Sequence, residues 1–240
     1  MPQLSALAAI TTVAATGTLA YAALSAQSQI FGRTLVAPAR PGEIALTYDD
    51  GPNPTATPQL LEVLARHGVR ATFFLIGRYV RPQAAIVREI ADAGHVIGNH
   101  SMTHPWLPFL SDARIREELT DCNAELEDVL GAPVRYFRAP HGARRPYVLK
   151  MARELGLVPV QWNVICGDWN PVGADVIRAR AARGIARNQS GRRASNIDLH
   201  DGAQQTPTAA RLATVEATDL LLKQHPPTEW RYVTVDAWKD

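Results

Sequence analysis

The stretch Ile44-Ala-Leu-Thr-Tyr-Asp-Asp-Gly51 decides the fold, because it has the pattern of a short apolar strand that ends at two carboxylates. Four later segments have the same form, an apolar strand followed by a polar side chain. The polar groups of the five segments are Asp49 with Asp50, His100 with His104, Arg138, Asp168, and His200. Parallel strands separated by helices place their C-terminal ends on one face, where α/β enzymes build their sites. Carboxylates, histidines and an arginine that meet there predict a metal-assisted hydrolase rather than a binding module.

Strands and helices alternate along the chain from residue 41 onward. Strands are predicted at residues 43–48, 69–76, 96–97, 134–137, 157–164, 196–199 and 230–235. Helices are predicted at residues 57–67, 83–93, 111–130, 146–155, 174–186 and 208–224. Apolar strands in this order favour a parallel sheet with right-handed crossovers. Because the polar groups are spread over several strand ends, the pattern favours an α/β barrel over an open sheet, which gathers its site at one switch point.

The composition is typical of a globular enzyme, with 46% hydrophobic and 20% charged residues in a chain of 240. That length accommodates one domain of roughly 200 residues, predicted at 41–240, and an N-terminal extension. A formal net charge of +2 provides little attraction for nucleic acid, so no nucleic-acid partner is expected. Cys122 and Cys166 could form one disulfide, but two small buried thiols are the simpler interpretation.

Residues 1–32 form a separate hydrophobic segment. No charged side chain precedes Arg33, and the uncharged run Leu4–Leu24 is long enough to cross a bilayer. Residues 20–22, Ala-Tyr-Ala, resemble a signal-peptidase site. We therefore expect an extracytoplasmic protein, either secreted or associated with the membrane through a retained anchor. A misassigned start codon and an ordinary buried helix are the alternatives, because no basic residue precedes the run and it is only weakly apolar.

Two pairs of residues carry the metal hypothesis. His100 and His104 are four residues apart, so one helical turn or a compact loop can direct both imidazoles at one ion. Asp49 and Asp50 at a strand end project in different directions, so one can bind metal while the other remains free as a base. A structural histidine pair and an ordinary Asp-Gly turn are the alternatives.

His200 and Arg138 extend the set of candidate catalytic residues. His200 could supply the proton that a leaving group needs, or it could cap a turn. Arg138 could orient a carboxylate through a two-pronged hydrogen bond, or it could form a surface salt bridge. Each alternative is reasonable alone, but the succession of such residues at strand ends favours a catalytic site.

With these motifs in place, the chain resembles the polysaccharide deacetylases of carbohydrate esterase family four, the NodB-homology family. The resemblance covers about residues 43–236 and depends on five segments in a fixed order. They are Thr47-Tyr-Asp-Asp-Gly51, His100-Ser-Met-Thr-His104, Arg138-Ala-Pro140, Asp168-Trp169 and Ile197-Asp-Leu-His200. The resemblance implies a distorted (β/α) barrel with about seven strands. It also implies a hydrolase that acts on carbon–nitrogen bonds other than peptide bonds.

The resemblance further implies roles for five residues of the first three segments. Asp50, His100 and His104 would hold a divalent ion, with zinc expected and cobalt as the alternative. Asp49 would be the general base that deprotonates water, and Arg138 would orient it. The substrate would be an acetylated glycan.

The chain departs from the family pattern at two positions, one that affects substrate contact and one next to the proposed catalytic acid. His200 would protonate the departing sugar amine, and the positions implied to contact substrate are Pro140, His141 through its backbone N–H, Trp169 and Leu199. The family often has tyrosine where this chain has His141, so substrate contacts change there. It also often has an acid three residues before Asp168 that tunes the acid histidine, and here that position is Ile165. Asp168 or Asp198 could take over this supporting role, or the chain could represent a branch with a different fourth motif.

These expectations describe a metal-dependent hydrolase that removes N-acetyl groups from GlcNAc-type polysaccharide or oligosaccharide and releases acetate. The alternative is an O-acetyl esterase on acetylated xylan or a similar glycan, because ester cleavage depends less on protonation by His200. A non-catalytic wall-binding module on a degenerate barrel is a third interpretation. The presence of Asp49, both metal histidines and His200 argues against it.

Overall fold

The predicted first strand is the central strand of the sheet in the computed structural model, which describes residues 17–239. This strand, β1 (Glu43–Gly51), is buried along all nine of its residues. Such burial is expected for a strand of a parallel sheet that is covered on both faces. β1 pairs in parallel with β2 (Thr72–Leu75) and with β7 (Ser195–His200). The register places Asp49 directly beside His200.

Eight parallel strands form one sheet within residues 17–239. The remaining strands are β3 (Val96–Asn99), β4 (Tyr136–Phe137), β5 (Val158–Pro159), β6 (Val164–Ile165) and β8 (Arg231–Tyr232). Seven of the strands follow the order β5-β4-β3-β2-β1-β7-β6, and β8 pairs with the beginning of β1. The two edge strands, β5 and β6, are neighbours in sequence, so the sheet forms a curled barrel that stays open between them. The prediction of a distorted barrel with about seven strands is confirmed.

One predicted strand is wrong, and it lies at the opening of the barrel. The single strand expected at residues 157–164 is divided into β5 and β6, because the backbone between them bonds elsewhere. Gln161 N–H donates to the carbonyl of Leu35 at 2.9 Å, and Asn163 N–H donates to the carbonyl of Asn196 at 3.1 Å. A continuous apolar run does not reveal which partner each backbone group has, so the break was not visible in the sequence. The final strand is also shorter than the predicted 230–235.

Helices connect successive strands along most of the described chain. They are α1 (Ala56–Arg66), α2 (Gly77–Val80), α3 (Ala84–Asp92), α4 (Asp112–Leu130), α5 (Pro146–Glu154), α6 (Ala174–Ser190) and α7 (Leu212–Gln224). The ends of α4 follow the sequence signals. The Ser111 hydroxyl accepts a hydrogen bond from Arg114 N–H at 3.3 Å, and Gly131 ends the helix with a φ of 64°. The short helix α2 was not predicted, and α7 begins four residues after the predicted start at 208.

The main hydrophobic core lies between the sheet and the helices. Leu46 of β1, Phe73 of β2 and Leu119 of α4 are completely buried in it. Burial of one such side chain contributes about 1.5–3 kcal/mol to folding. Cys122 and Cys166 are both free and belong to the same core, so the interpretation as two small buried thiols is confirmed.

The segment before residue 41 packs against the open edge of the barrel. Residues 17–24 are helical, and buried Arg144 donates to the carbonyl oxygens of Ser25 at 2.6 Å and Ser28 at 2.9 Å. Leu35 forms a parallel bridge with Val160, next to β5. Most of the hydrophobic run predicted at Leu4–Leu24 lies outside the described residues. Within residues 17–239, no helix is both long enough and apolar enough to cross a membrane.

Candidate active site

A cavity of about 440 Å³ lies at the carboxyl ends of the central strands. This is the position at which a parallel barrel builds its site. Predicted site residues that line the cavity are Asp49, Asp50, His100, His104, His141, Trp169 and His200. The structure therefore brings together residues that are up to 151 positions apart in the chain (200 minus 49).

Asp50, His100 and His104 form a compact group on one side of the cavity. Asp50 Oδ1 lies 3.1 Å from Nε2 of His104 and 3.5 Å from Nε2 of His100. One ligand atom from each residue lies within 4.8 Å of the others, and all three residues are buried. Asp50 Oδ1 is itself buried and has no hydrogen-bond partner among the described residues. A carboxylate oxygen and two imidazole nitrogens in this arrangement fit a divalent cation such as zinc.

The other ring nitrogen of each histidine contacts an oxygen. His100 Nδ1 lies 2.8 Å from the backbone carbonyl of Arg138, and His104 Nδ1 lies 2.7 Å from Oε1 of Gln204. Carbonyl and amide oxygens only accept hydrogen bonds, so each Nδ1 carries a proton and each Nε2 is the ring atom that faces Asp50. Metal-binding histidines characteristically have such an acceptor behind them.

The electrostatics of Asp50 and His104 match the states in which these residues bind a cation, whereas Asp49 and Asp50 overcome the effect of burial and raise the pKa of His100. Burial alone would raise the pKa of Asp50, but His100, His104 and His200 together lower it below its usual range. Burial and the neighbouring His100 lower the pKa of His104 to about 3. Asp50 is thus ionised and His104 neutral at neutral pH, the protonation states in which both act as metal ligands.

Asp49 lies next to the cation group and is oriented by a buried guanidinium. Arg138 Nη1 donates to Asp49 Oδ1 at 2.8 Å and to the Thr47 hydroxyl at 2.8 Å. The second carboxylate oxygen of Asp49 lies 3.7 Å from Nε2 of His100. Arg138 is completely buried, so the alternative of a surface salt bridge is wrong. The contact leaves one oxygen of Asp49 directed toward the cation group.

His200 is paired with Asp168 and also lies beside Asp49, since one ligand atom from each of Asp49, Asp198 and His200 lies within 4.8 Å of the others. Asp168 Oδ1 lies 2.9 Å from His200 Nδ1, and Asp168 Oδ2 accepts from the His200 backbone N–H at 2.7 Å and from the Thr214 hydroxyl at 2.9 Å. Burial opposes the charged imidazole, yet Asp168 raises the pKa of His200 to about 10. Ile165, at the position where the family often has an acid, is 54% exposed and lines the cavity. Among the candidates left open by the sequence, Asp168 is the acid that contacts His200.

The structure places Leu199 and Asp198 differently from the sequence prediction. Leu199 was expected to form a wall of the acetyl pocket, but it packs in the main hydrophobic core. Side chains alternate along a strand, so Asp198 and His200 share the face of β7 that lines the cavity. Asp198 is buried, and burial together with the charge of Asp49 raises its pKa to about 7. The alternation of β7 was the signal that could have identified Asp198 as a lining residue.

Aromatic rings form part of the cavity rim. His141 stacks on Trp106 with ring centroids 4.1 Å apart and an angle of 13° between the planes, and its edge contacts His104 at 4.6 Å. Trp169 contacts His200 edge-on at 5.2 Å. Pro140 was expected to contact substrate, but it is buried and is not among the described residues that line the cavity. Sequence reasoning did not identify Trp106, which follows the second metal histidine by two residues.

Comparisons with known proteins agree with this geometry. The family model for polysaccharide deacetylase matches residues 37–160. The chain is 36% identical over 185 residues to a chitooligosaccharide deacetylase of Sinorhizobium fredii, and the match covers 75% of this chain and 83% of the relative. The structure superposes on a solved peptidoglycan N-acetylglucosamine deacetylase with a TM-score of 0.75 and 32% identity, over 84% of this chain and 90% of the other.

A family 4 acetyl xylan esterase from Clostridium thermocellum, solved in complex with a cobalt ion, is also similar. Its TM-score is 0.71 at 29% identity, over 82% of this chain and 89% of the esterase. The family match covers the segments with Asp49, Asp50, His100, His104 and Arg138, and it ends before the segments with Asp168 and His200. The chain belongs to the polysaccharide deacetylase family, carbohydrate esterase family four.

Proposed function

We propose that this protein is a metal-dependent hydrolase that removes N-acetyl groups from a GlcNAc-type glycan and releases acetate. The observation that carries the proposal is the grouping of Asp50, His100 and His104 beside Asp49, with His200 in the same cavity. This arrangement supplies ligands for a cation, a carboxylate base and a separate acid. In metal-assisted amide hydrolysis, the cation and base generate the attacking water and the acid protonates the leaving amine.

Asp50, His100 and His104 would hold the divalent cation. Two imidazole nitrogens and one carboxylate oxygen favour zinc, and cobalt is compatible with the same ligands. When bound, the cation would supply a Lewis acid that polarises the acetyl carbonyl and makes water easier to deprotonate.

Asp49 would act as the general base. Its Oδ1 is held by Arg138 at 2.8 Å, so Oδ2 is the oxygen available to take a proton from water. The same guanidinium fixes the direction of the carboxylate. The backbone N–H of His141, whose ring lines the cavity, would help to hold the developing oxyanion.

His200 would act as the general acid toward the sugar amine. Because Nδ1 faces Asp168, Nε2 is the ring atom that can deliver a proton into the cavity. Asp168 holds the ring and stabilises its protonated form. Trp169, which is 45% exposed and contacts the His200 ring, would close one side of the acetyl site.

An O-acetyl esterase is the second candidate function. The similarity to an acetyl xylan esterase favours it, since that structure covers most of this chain. The same base and cation site would serve ester cleavage, and the alkoxide leaving group would need less help from His200.

We also propose an extracytoplasmic location, either secreted or attached to the membrane, with a cell-wall glycan as substrate. The uncharged run Leu4–Leu24 and the Ala-Tyr-Ala sequence at 20–22 support this proposal. Fractionation of cells that express the full chain would test it. Recovery of the protein only in the cytoplasm would contradict it.

The proposed function is tested by acetate release from a panel of N- and O-acetylated glycans. The full chain would be stripped with a chelator, assayed, and assayed again after addition of zinc or cobalt. We expect acetate release from N-acetylated oligomers to stop without metal and to return with either ion. Preference for O-acetylated xylan would support the second candidate, and metal-independent acetate release would contradict the proposed site.

A further inference from the structure

We propose that Gln204 is a positioning residue for the cation site, because its side-chain oxygen holds the ring of His104 in the orientation that metal binding needs. The inference deepens the proposed function and rests on it. Gln204 follows β7 by four residues, and no sequence motif pointed to it. It would act through His104 and would not contact the reacting atoms.

The contact between the two side chains is short and specific. Gln204 Oε1 lies 2.7 Å from His104 Nδ1, and the opposite nitrogen of the ring lies 3.1 Å from Asp50 Oδ1. An acceptor at Nδ1 keeps the proton on that atom and leaves Nε2 free as a ligand. Without the acceptor, the ring could carry its proton on Nε2, where it would block the cation.

Gln204 is itself held in place by its backbone. Its carbonyl oxygen accepts a hydrogen bond from the Tyr79 hydroxyl at 3.0 Å and another from the Arg78 guanidinium. Both donors belong to α2, the short helix that follows β2. The backbone of Gln204 is therefore linked to α2, so the residue that supports His104 is fixed at its main chain as well as at its side chain.

The loop that carries Gln204 also contacts the backbone of Asp50, one of the proposed metal ligands. A Cβ added to Gly202 would lie 2.0 Å from the backbone oxygen of Asp50, so the backbones of these two residues are in close contact. Gly202 N–H donates to the carbonyl of Asp49 at 3.3 Å, and Arg211 donates to the Gly202 carbonyl at 2.6 Å. Gly202 lies two positions before Gln204, so these contacts tie the position of Gln204 to that of Asp50.

The two metal histidines differ in a way that makes the inference testable. The acceptor behind His100 is the backbone carbonyl of Arg138, which no side-chain substitution removes. The acceptor behind His104 is a side chain, so it can be removed or exchanged. Gln204→Leu removes the acceptor with little change in size. Gln204→Glu keeps an acceptor oxygen and adds a negative charge, which strengthens histidine as a ligand.

The test measures metal affinity instead of turnover. Zinc would be titrated into the metal-free full chain in competition with a chromophoric chelator, and the absorption spectrum of the cobalt form would report the geometry of the ligands. We expect Gln204→Leu to weaken zinc binding about 10–100-fold and to change the cobalt spectrum. Gln204→Glu should bind zinc at least as tightly as the unchanged chain. Gln59→Leu, the same substitution at an exposed position of α1, serves as the matched control.

Several outcomes would overturn the inference. An unchanged zinc affinity and cobalt spectrum in Gln204→Leu would show that the contact does not position the ligand. If thermal melting shows that this variant folds poorly, Gln204→Glu decides, and weaker zinc binding in that variant contradicts the role. Failure of the proposed function is a separate result, since it would appear as tight zinc binding by the unchanged chain without acetate release. A chain that binds neither zinc nor cobalt would overturn both.

Discussion

The two halves of the cavity are built in different ways. In one half, Asp49, His100 and Arg138 lie at or directly after the ends of β1, β3 and β4, and all three are buried. In the other half, His104 and His141 lie in loops and have left-handed backbone φ values of 61° and 59°. The strand-end half is fixed by the sheet, and the loop half is fixed by contacts between side chains.

This difference shows where the precision of the site comes from. The register of β1 against β7 sets the position of Asp49 relative to His200. The loop half depends on single contacts, such as the one between Gln204 and His104. We therefore expect substitution of Asp49 or His200, which lie at strand ends and are not proposed metal ligands, to change the chemistry. Substitutions in the loop half should change metal affinity, stability or substrate binding.

The largest effect is expected from Asp49→Asn in the strand-end half. The substitution removes the proposed base but keeps its size, so acetate release should fall by about 10²–10⁴-fold. Zinc affinity should stay close to that of the unchanged chain, because Asp49 is not one of the proposed ligands. Asp92→Asn, an exposed position on α3, is the control. Full turnover by Asp49→Asn would show that the base has been assigned wrongly.

The second-largest loss of activity is expected from His200→Ala, and its size should depend on the leaving group of the substrate. An amine needs a proton to depart, so cleavage of N-acetyl substrates should slow by about 10²-fold. Cleavage of an activated acetate ester should slow much less. Parallel kinetics on one amide and one ester substrate would measure the difference. Equal losses on the two substrates would mean that His200 acts in another way, for example on the oxyanion.

The contrast between the two halves also explains how much the sequence could predict. Apolar runs that end at polar residues revealed the strand ends, and so they revealed Asp49, His100 and Arg138. The contact between Gln204 and His104 joins residues that are 100 positions apart in the chain, and no local sequence pattern predicts such a pair. Leu199 was misplaced because the motif was matched without applying the alternation of side chains along β7.

The division of the strand predicted at residues 157–164 has the same kind of cause. Its local pattern is that of one apolar strand, but Gln161 bonds to Leu35 and Asn163 bonds to Asn196. Partners so distant in sequence are decided by the packing of the whole barrel. In contrast, local signals predicted both ends of α4, because a capping serine and a terminal glycine act on backbone groups only a few residues away.

A smaller effect is expected from Gly202→Ala, which tests the backbone of the loop half. The added methyl group would lie 2.0 Å from the backbone oxygen of Asp50, so one of the two loops must move. The strain should lower the free energy of unfolding by about 1–3 kcal/mol and should weaken zinc binding. Urea unfolding would measure the first quantity and chelator competition the second.

Gly173→Ala is the matched control for this substitution. Gly173 has a φ of −76°, and an added Cβ would meet no atom within 4 Å among the described residues. Its free energy of unfolding should therefore change little. If Gly202→Ala were as stable as this control and bound zinc equally well, the loop would not hold Asp50 in place.

The smallest effect is expected from Trp106→Ala at the rim of the loop half. Trp106 is 46% exposed and stacks on the ring of His141, so part of its aromatic surface remains accessible to solvent. An aromatic face of this kind can stack on a sugar next to the one being deacetylated, a contact worth about 0.5–1.5 kcal/mol. We expect KM for N-acetylated oligomers to rise about twofold to tenfold, with kcat unchanged and with no effect on a monomeric substrate. Steady-state kinetics on oligomers of increasing length would measure this. A lower kcat with constant KM would instead show that Trp106 serves to hold His141, and the loop half would then affect the chemistry as directly as the strand ends do.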